Sequence, residues 1–296
     1  MTGDAAPIVV GVNGSSEAVC AARWAGAVAA RLDVPLHIIT ATPYLGHLQT
    51  DAAAGVRAAA IDEHRESAKV LLKAAEDAVV ADHPDLVVTT ISVDEPADVA
   101  LDSASRTAQF LVLGSGEVTA AGALFIGSTT LATLTNSTCP VVAWRGDVPA
   151  PTDQTIVVGV DGSADDGGPL GIAFEIADRL GAPLRVIHSW SLKGHLVAVN
   201  RPIMVDWNAS TQAQWRHVNK LVDGWRGRHP GVKVTLIGEP AKPSQSLLLH
   251  AVGAQLVVVG SRRRNALTRG LFGSTSLNLL HHCKVPVMLC PFDEQS

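Results

Sequence analysis

The segment Gly260–Ser276 reads G-S-R-R-R-N-A-L-T-R-G-L-F-G-S-T-S and follows directly on the apolar run Leu256–Val259. That run is short, β-branched and bounded by glycine, which is typical of a buried strand in a parallel sheet. We expect the strand to end at Gly260, a polar loop to follow, and a helix to begin at Gly273-Ser274. Free N–H groups and the helix dipole at such a start attract anions. The segment therefore predicts a phosphate site.

The same arrangement occurs once more, earlier in the chain. Phe110–Gly114 is a similar apolar run that ends in glycine, and Gly127–Thr130 begins a helix at the same distance. The repeat extends further, because I-V-V-G-V-N-G-S from Ile8 matches I-V-V-G-V-D-G-S from Ile156. Matching segments in the same order indicate two copies of one domain.

The repeat sets the domain boundaries at 1–146 and 155–296. Residues 147–154 are polar and carry two prolines, so we interpret them as the linker. Strands are predicted at 8–12, 35–41, 86–93, 110–114 and 140–144, and at 155–160, 183–188, 232–237, 255–260 and 285–290. Helical spacing between them implies right-handed crossovers and one parallel sheet per copy. The fold class is α/β, with two tandem doubly wound, Rossmann-like domains.

Composition narrows the possible functions. The 296 residues are 47% hydrophobic but only 4% aromatic, so Ala, Val, Leu and Ile must build the cores. A net charge of -5 argues against binding to nucleic acid or an anionic membrane. The four cysteines form no C-x-x-C pair, so neither a disulfide framework nor a zinc site is indicated. No apolar run approaches the roughly 18 residues of a membrane span, and no signal peptide is evident, so a cytoplasmic location is expected.

Both copies resemble universal stress protein domains. The family signature is G-x-x-G, nine residues and G-[S/T] after the fourth strand, together with G-[IV]-D-G-S at the end of the first. Gly114 with Gly127-Ser128, and Gly260 with Gly273-Ser274, stand at that spacing. The resemblance implies a tandem member of the ATP-binding branch with strand order 3-2-1-4-5. It also implies a nucleotide at the switch point between strands one and four.

Each copy departs from the signature. Its second glycine is Arg263 in the second copy and Glu117 in the first, and the first-strand aspartate is Asp161 against Asn13. If the glycine is needed for a left-handed backbone, another residue costs about 1–2 kcal/mol. An arginine could offset this cost by a charge-assisted bond to phosphate, worth about 1.5–3 kcal/mol, whereas a glutamate repels phosphate. We therefore expect the second copy to be the main site.

The resemblance also assigns roles to individual residues. Val160 and Asp161 would lie against the base and ribose, and Ser189 and Val259 near the adenine. The remaining second-copy residues of the implied site are Gly260, Arg262, Arg263, Gly273, Ser274, Thr275 and Ser276. The weaker first-copy site comprises Val12, Asn13, Gly114, Gly127, Ser128 and Thr129. Two alternatives stay open: Asp161 caps a turn without a ligand, and the arginines form a solvated surface loop.

The expected ligand is ATP, with Mg as a possible companion, and the expected role is that of a stress-response sensor or regulator. The sequence contains no lysine phosphate loop, no nucleophile elbow and no H-E-x-x-H, so fast catalysis is not implied. The alternatives are an interaction scaffold of the same fold and a slow ATPase. The expected partners are an unidentified regulatory protein and either a second copy or the other half of the chain, because apolar fifth strands are edges. We interpret His188 and His281-His282 as satisfied residues rather than ligands.

Overall fold

The computed structural model describes residues 5–41, 51–116, 127–146, 150–161, 168–190, 207–263 and 273–293. The chain divides into two compact units, Met1–Pro151 and Thr152–Ser296. Glu117, the arginines at 264 and 269, and residues 147–149 of the predicted linker lie outside the described residues. Within the described part, no helix is long and apolar enough to cross a membrane.

The first unit alternates strands and helices. Its elements are β1 (Ile8–Gly11), α1 (Ser16–Leu32), β2 (Leu36–Ala41), α2 (Asp51–Asp82), β3 (Val88–Val93), α3 (Ala97–Ser105), β4 (Phe110–Gly114), α4 (Ser128–Asn136) and β5 (Val141–Trp144). All of the strand pairs are parallel and give the order β3-β2-β1-β4-β5. The predicted order 3-2-1-4-5 is confirmed in this unit.

The second unit repeats this arrangement. Its elements are β6 (Ile156–Val160), α5 (Pro169–Leu180), β7 (Leu184–Ser189), α6 (Trp207–Arg228), β8 (Val234–Glu239), α7 (Pro243–His250), β9 (Leu256–Arg263), α8 (Ser274–His282) and β10 (Val287–Asp293). The parallel pairs give the order β8-β7-β6-β9-β10. Both units therefore have the predicted doubly wound α/β fold.

Helix α1 shows how the sequence produces this packing. Ser15 caps its start, because the side-chain oxygen accepts a hydrogen bond from the Ala18 N–H at 3.1 Å. Asp33 ends it in a left-handed conformation with φ 55°. Trp24 and Val28, which lie four residues apart on one face of the helix, are buried. Small alanines around the tryptophan let the helix lie close to the sheet.

Strand β9 is longer than predicted. It continues through Ser261 to Arg263 and pairs with β10 as far as Arg263–Asp293. The prediction that the strand ends at Gly260 was wrong, because backbone groups form the ladder and polar side chains do not prevent it. Arg263 thus lies on extended backbone, so the predicted cost of a left-handed residue does not arise here.

Residues just before β6 are fixed to the second unit. The Gln255 side chain accepts from the Thr152 N–H at 2.9 Å and donates to the Thr152 carbonyl at 2.8 Å. Its amide also donates to the Gln154 carbonyl. Part of the segment that we interpreted as linker is therefore bonded to the turn that leads into β9.

Candidate functional site at the carboxyl ends of the second sheet

Strands β6 and β9 separate at their carboxyl ends. Their ladder runs from Ile156–Leu256 to Val158–Val258 only. Beyond it, β6 continues to Val160, and β9 is paired only on its other edge, where the ladder with β10 runs from Val257 to Arg263. In the first unit the corresponding ladder has a fourth pair, Gly11–Leu113. The second sheet therefore opens one residue pair earlier, at the position where doubly wound sheets bind their ligands.

Helix α8 begins beside this opening. Gly273 is its N-cap, with φ -60° and ψ 147° and no side-chain capping bond among the described residues. The Ser276 hydroxyl donates a long hydrogen bond, 3.5 Å, to the Gly260 carbonyl of β9. A Cβ on Gly273 would meet no atom of the described residues within 4 Å. The N–H groups of the first turn, which lack partners within a helix, thus lie at an accessible helix start.

Helix α4 of the first unit begins in nearly the same way. Its N-cap Gly127 has φ -53° and ψ 145°, again without a side-chain capping bond in the described residues. A Cβ there would have only the Thr130 hydroxyl nearby, at 3.9 Å. Ser128 and Thr129 lie in its first turn as predicted for Ser274 and Thr275 in α8. The N-termini of α4 and α8 therefore do not, by themselves, distinguish the two units.

The predicted base-site residues of the second unit lie on both faces of its sheet. A Cβ on Gly159 would contact Leu247 of α7 and Val259, so Val259 faces α7. Ser189 shares the α7 face, because Arg185, four residues earlier on β7, donates to the carbonyl of His250 in α7. Val160 lies on the opposite face. These residues can meet one ligand only at the rim of the sheet.

His188 occupies the Val160 side of this rim. It is paired with Val160 in the β6–β7 ladder and is only 3% exposed. Its Nδ1 lies 3.1 Å from the Val160 carbonyl oxygen, whereas its Nε2 has no hydrogen-bond partner in the part of the chain that the structure describes. The expectation of a satisfied histidine holds for one nitrogen and is wrong for the other. No sequence motif marked this residue, since its burial and its missing partner are properties of the fold.

The charged residues predicted for the second site are placed by the backbone alone. Asp161 follows Val160 directly and is exposed. Arg262 and Arg263 lie on β9, in register with Phe292 and Asp293 of β10. Asp161 thus follows the end of β6, and the two arginines are the last residues of β9, on the other side of the opening.

In the first unit, two of the predicted site residues serve the fold. The Asn13 side-chain oxygen accepts from the Ser15 N–H at 3.1 Å, which closes a turn before α1. Val12 is buried, and its N–H donates to the Ile39 carbonyl at 2.9 Å. Asn13 belongs to the weaker site that the resemblance implies, but its side-chain oxygen already accepts a hydrogen bond within the chain.

Gly114 is also required by packing. A Cβ at this position would lie 2.9 Å from the backbone nitrogen of Ala18 and from the carbonyl carbon and oxygen of Glu17. All three atoms belong to the first turn of α1, so they cannot move independently. A signature glycine in this unit thus permits close helix–strand contact, one of the roles of glycine in such folds.

Sequence reasoning missed a cation beside the first signature. Arg145, at the end of β5, is only 8% exposed, and its Nε donates to the Ser115 hydroxyl at 3.1 Å. The Ser115 hydroxyl in turn donates to the Trp144 carbonyl at 3.1 Å. Because Ser115 directly follows Gly114, the first unit has a positive charge near its signature. Arg145 is distant in sequence, so only the order of the strands could have revealed it.

Comparisons with known proteins agree with this architecture. A model described as the Universal stress protein family matches residues 6–145 and again 154–291. The chain is 32% identical over 292 residues to a universal stress protein of Mycobacterium tuberculosis strain H37Rv, covering 95% of this chain and 96% of that protein. A universal stress protein of Mycolicibacterium smegmatis is 33% identical over 290 residues, with the same coverage of both chains.

A solved structure is similar in fold over the full length. The crystal structure of a universal stress protein from Archaeoglobus fulgidus has a TM-score of 0.71 at 18% identity and covers 98% of this chain and 99% of its own. Two matches to the family model, relatives of equal length and the strand order of both units lead to the same conclusion. The chain belongs to the universal stress protein family, with two family domains in tandem.

Proposed function

We propose that this protein binds an adenine nucleotide, ATP above all, mainly in its second domain, and acts as a sensor or regulator in a stress response. The observation that carries the proposal is the opening between β6 and β9 beside the accessible start of α8. Backbone N–H groups at a helix start favour phosphate, and the opening lies at the switch point of the sheet.

Further support for the second domain comes from the residues at the strand ends. The second domain ends β9 with two arginines, whose charge suits a polyphosphate. Arg145 weakens this distinction between the domains, because it gives the first domain a cation as well. The preference for the second domain is thus one of degree.

A matched pair of variants tests the proposal. Gly273→Val and Gly127→Val each place a branched side chain at a helix start where a Cβ has room, so neither is expected to disturb packing. A side chain there obstructs the approach of phosphate to the first-turn N–H groups. Titration calorimetry with ATP and Mg²⁺ should show at least about a 10-fold weaker affinity for Gly273→Val, equal to about 1.4 kcal/mol. Gly127→Val should change the affinity of this site less than about 3-fold.

Three outcomes contradict parts of the proposal. Equal losses in the two variants mean that both domains bind ATP comparably. A loss confined to Gly127→Val moves the site to the first domain. No heat of binding in the unaltered protein, together with no nucleotide released from the purified protein on denaturation, contradicts nucleotide binding itself and favours a scaffold of the same fold.

A further inference from the structure

His188 carries a buried ring nitrogen without a partner, at the end of the strand next to the opening. A buried polar atom without a hydrogen bond costs free energy, and in native proteins such atoms call for an explanation. The Nε2 atom of His188 has no hydrogen-bond partner among the described residues, although the residue is 3% exposed. A ligand that brings a polar group to this atom would remove the cost.

The hydrogen bond at the other ring nitrogen determines what Nε2 can do. The Val160 carbonyl oxygen, 3.1 Å from Nδ1, can only accept a hydrogen bond, so Nδ1 must carry the proton. In the neutral imidazole the second nitrogen is then an acceptor, with a lone pair that is buried and unused. Nε2 therefore suits an N–H donor and repels a carbonyl oxygen.

Two indole rings lie near His188 or its paired residue. The Trp190 ring centroid is 5.7 Å from that of His188, at an interplanar angle of 38°. His188 is paired with Gly238 of β8, and a Cβ on Gly238 would collide with the ring of Trp215 in α6. The glycine thus makes room for a second indole on the same face of the sheet. Apolar planes with one convergent polar atom are typical of a site for a planar ring.

We propose that His188 determines the base specificity of the second domain, by accepting a hydrogen bond from the exocyclic amino group of a 6-aminopurine. The inference rests on the proposed nucleotide function. It predicts that the domain discriminates against purines with a 6-oxo group, whose carbonyl oxygen would face the Nε2 lone pair.

The first domain supplies an internal comparison. Ile8 is paired with Leu36 and Ile156 with Leu184, so Thr40 occupies the position of His188 in the first domain. Thr40 is 5% exposed, and its hydroxyl can both donate and accept. A hydroxyl can therefore adapt to an amino or an oxo group, and this domain should not discriminate between them.

The test compares three nucleotides on the full-length protein. ATP, inosine triphosphate with its 6-oxo group, and purine riboside triphosphate, which has no 6-substituent, are titrated by calorimetry in the presence of Mg²⁺. The unaltered protein should bind ATP about 10- to 100-fold more tightly than inosine triphosphate, with purine riboside triphosphate between them. His188→Phe keeps a buried ring without the acceptor and should reduce the ratio below about 3-fold. Thr40→Val is the matched control and should leave the ratio unchanged.

A second measurement does not depend on a variant that folds. In protein with ¹⁵N-labelled histidine, the Nε2 resonance of His188 should shift on ATP binding and should shift differently with inosine triphosphate. Equal affinities for ATP and inosine triphosphate overturn the inference and leave the proposed function intact. An unchanged ratio in His188→Phe, or an Nε2 resonance insensitive to ATP, also overturns it. If the protein binds no nucleotide at all, the inference and the proposed function fail together.

Discussion

Replacing Gly114 by alanine should destabilise the first domain, although the change adds a single methyl group. The new Cβ would lie 2.9 Å from backbone atoms of Glu17 and Ala18 in α1. Favourable carbon contacts lie at about 3.5–4.0 Å, so the helix start must move by roughly 0.6–1 Å. Because α1 packs through Trp24 and many alanines onto the sheet, that movement disturbs a well-filled core.

The expected magnitude follows from two opposing effects. Overpacking of this kind costs about 1–3 kcal/mol. Alanine also restricts the unfolded chain, which returns about 0.4–1 kcal/mol. The free energy of unfolding should therefore fall by about 1–2 kcal/mol. For a domain of this size the melting temperature should fall by roughly 2–8 °C.

Hydrogen exchange with detection by mass spectrometry is the suitable assay, because the protein has two domains and its unfolding need not be a single transition. Amides of β4 and of the first turns of α1 should exchange faster in Gly114→Ala, while those of α5 and β9 should not change. Gly127→Ala is the control, since a Cβ on Gly127 has only the Thr130 hydroxyl nearby. If these amides are protected from exchange equally well in Gly114→Ala and in Gly127→Ala, the inference that packing requires a glycine at position 114 is wrong.

Two further predictions concern titration and reactivity. The hydrogen bond from Arg23 lowers the pKa of Asp82 in the folded protein. The stability that the ionised Asp82 contributes is therefore fully present above about pH 4 and is lost as the pH falls through the folded-state pKa. Asp82→Asn should cost at most about 1 kcal/mol at pH 7, since the pair is partly exposed, and the difference in urea unfolding between variant and parent should shrink as the pH falls below about 4. Burial raises the pKa of the Cys290 thiol, and Cys20 is the most exposed of the four free cysteines. Iodoacetamide at pH 8 should therefore label native protein at Cys20 first, and mass spectrometry showing equal labelling of Cys290 would contradict its burial.

The fold could be predicted from the sequence because the same signals occur twice. Short β-branched runs, each ending in glycine and followed by helical spacing, determine strands and crossovers independently in each copy. The end of β9 could not be predicted in this way. Ser261–Arg263 is polar and was assigned to a loop, but the ladder with β10 is formed by backbone groups, which polar residues supply as well as apolar ones.

The candidate site was only partly accessible to sequence reasoning. The helix start at Gly273 was predicted, because glycine and hydroxyl residues before an apolar helix have a local physical meaning. His188 and Arg145 were not, since their roles depend on which strands are adjacent and which atoms are buried. A single histidine in an apolar strand looks the same in sequence whether both of its nitrogens are bonded or only one.

The differences between the two copies are concentrated where strands end. The strand interiors remain interchangeable, as in I-V-V-G-V at the start of each copy, because each must fill the same space between helices. At the carboxyl ends, Thr40 corresponds to His188, and Trp144, paired with Gly114, corresponds to Cys290, paired with Gly260. All four of these side chains are buried, so the two copies differ in the buried chemistry that they place near the carboxyl ends of the sheet. The carboxyl ends of the two sheets thus carry different donors, acceptors and charges, which suits them to different ligands or different affinities. A protein that binds one nucleotide equally in both domains would have no physical reason to carry these differences.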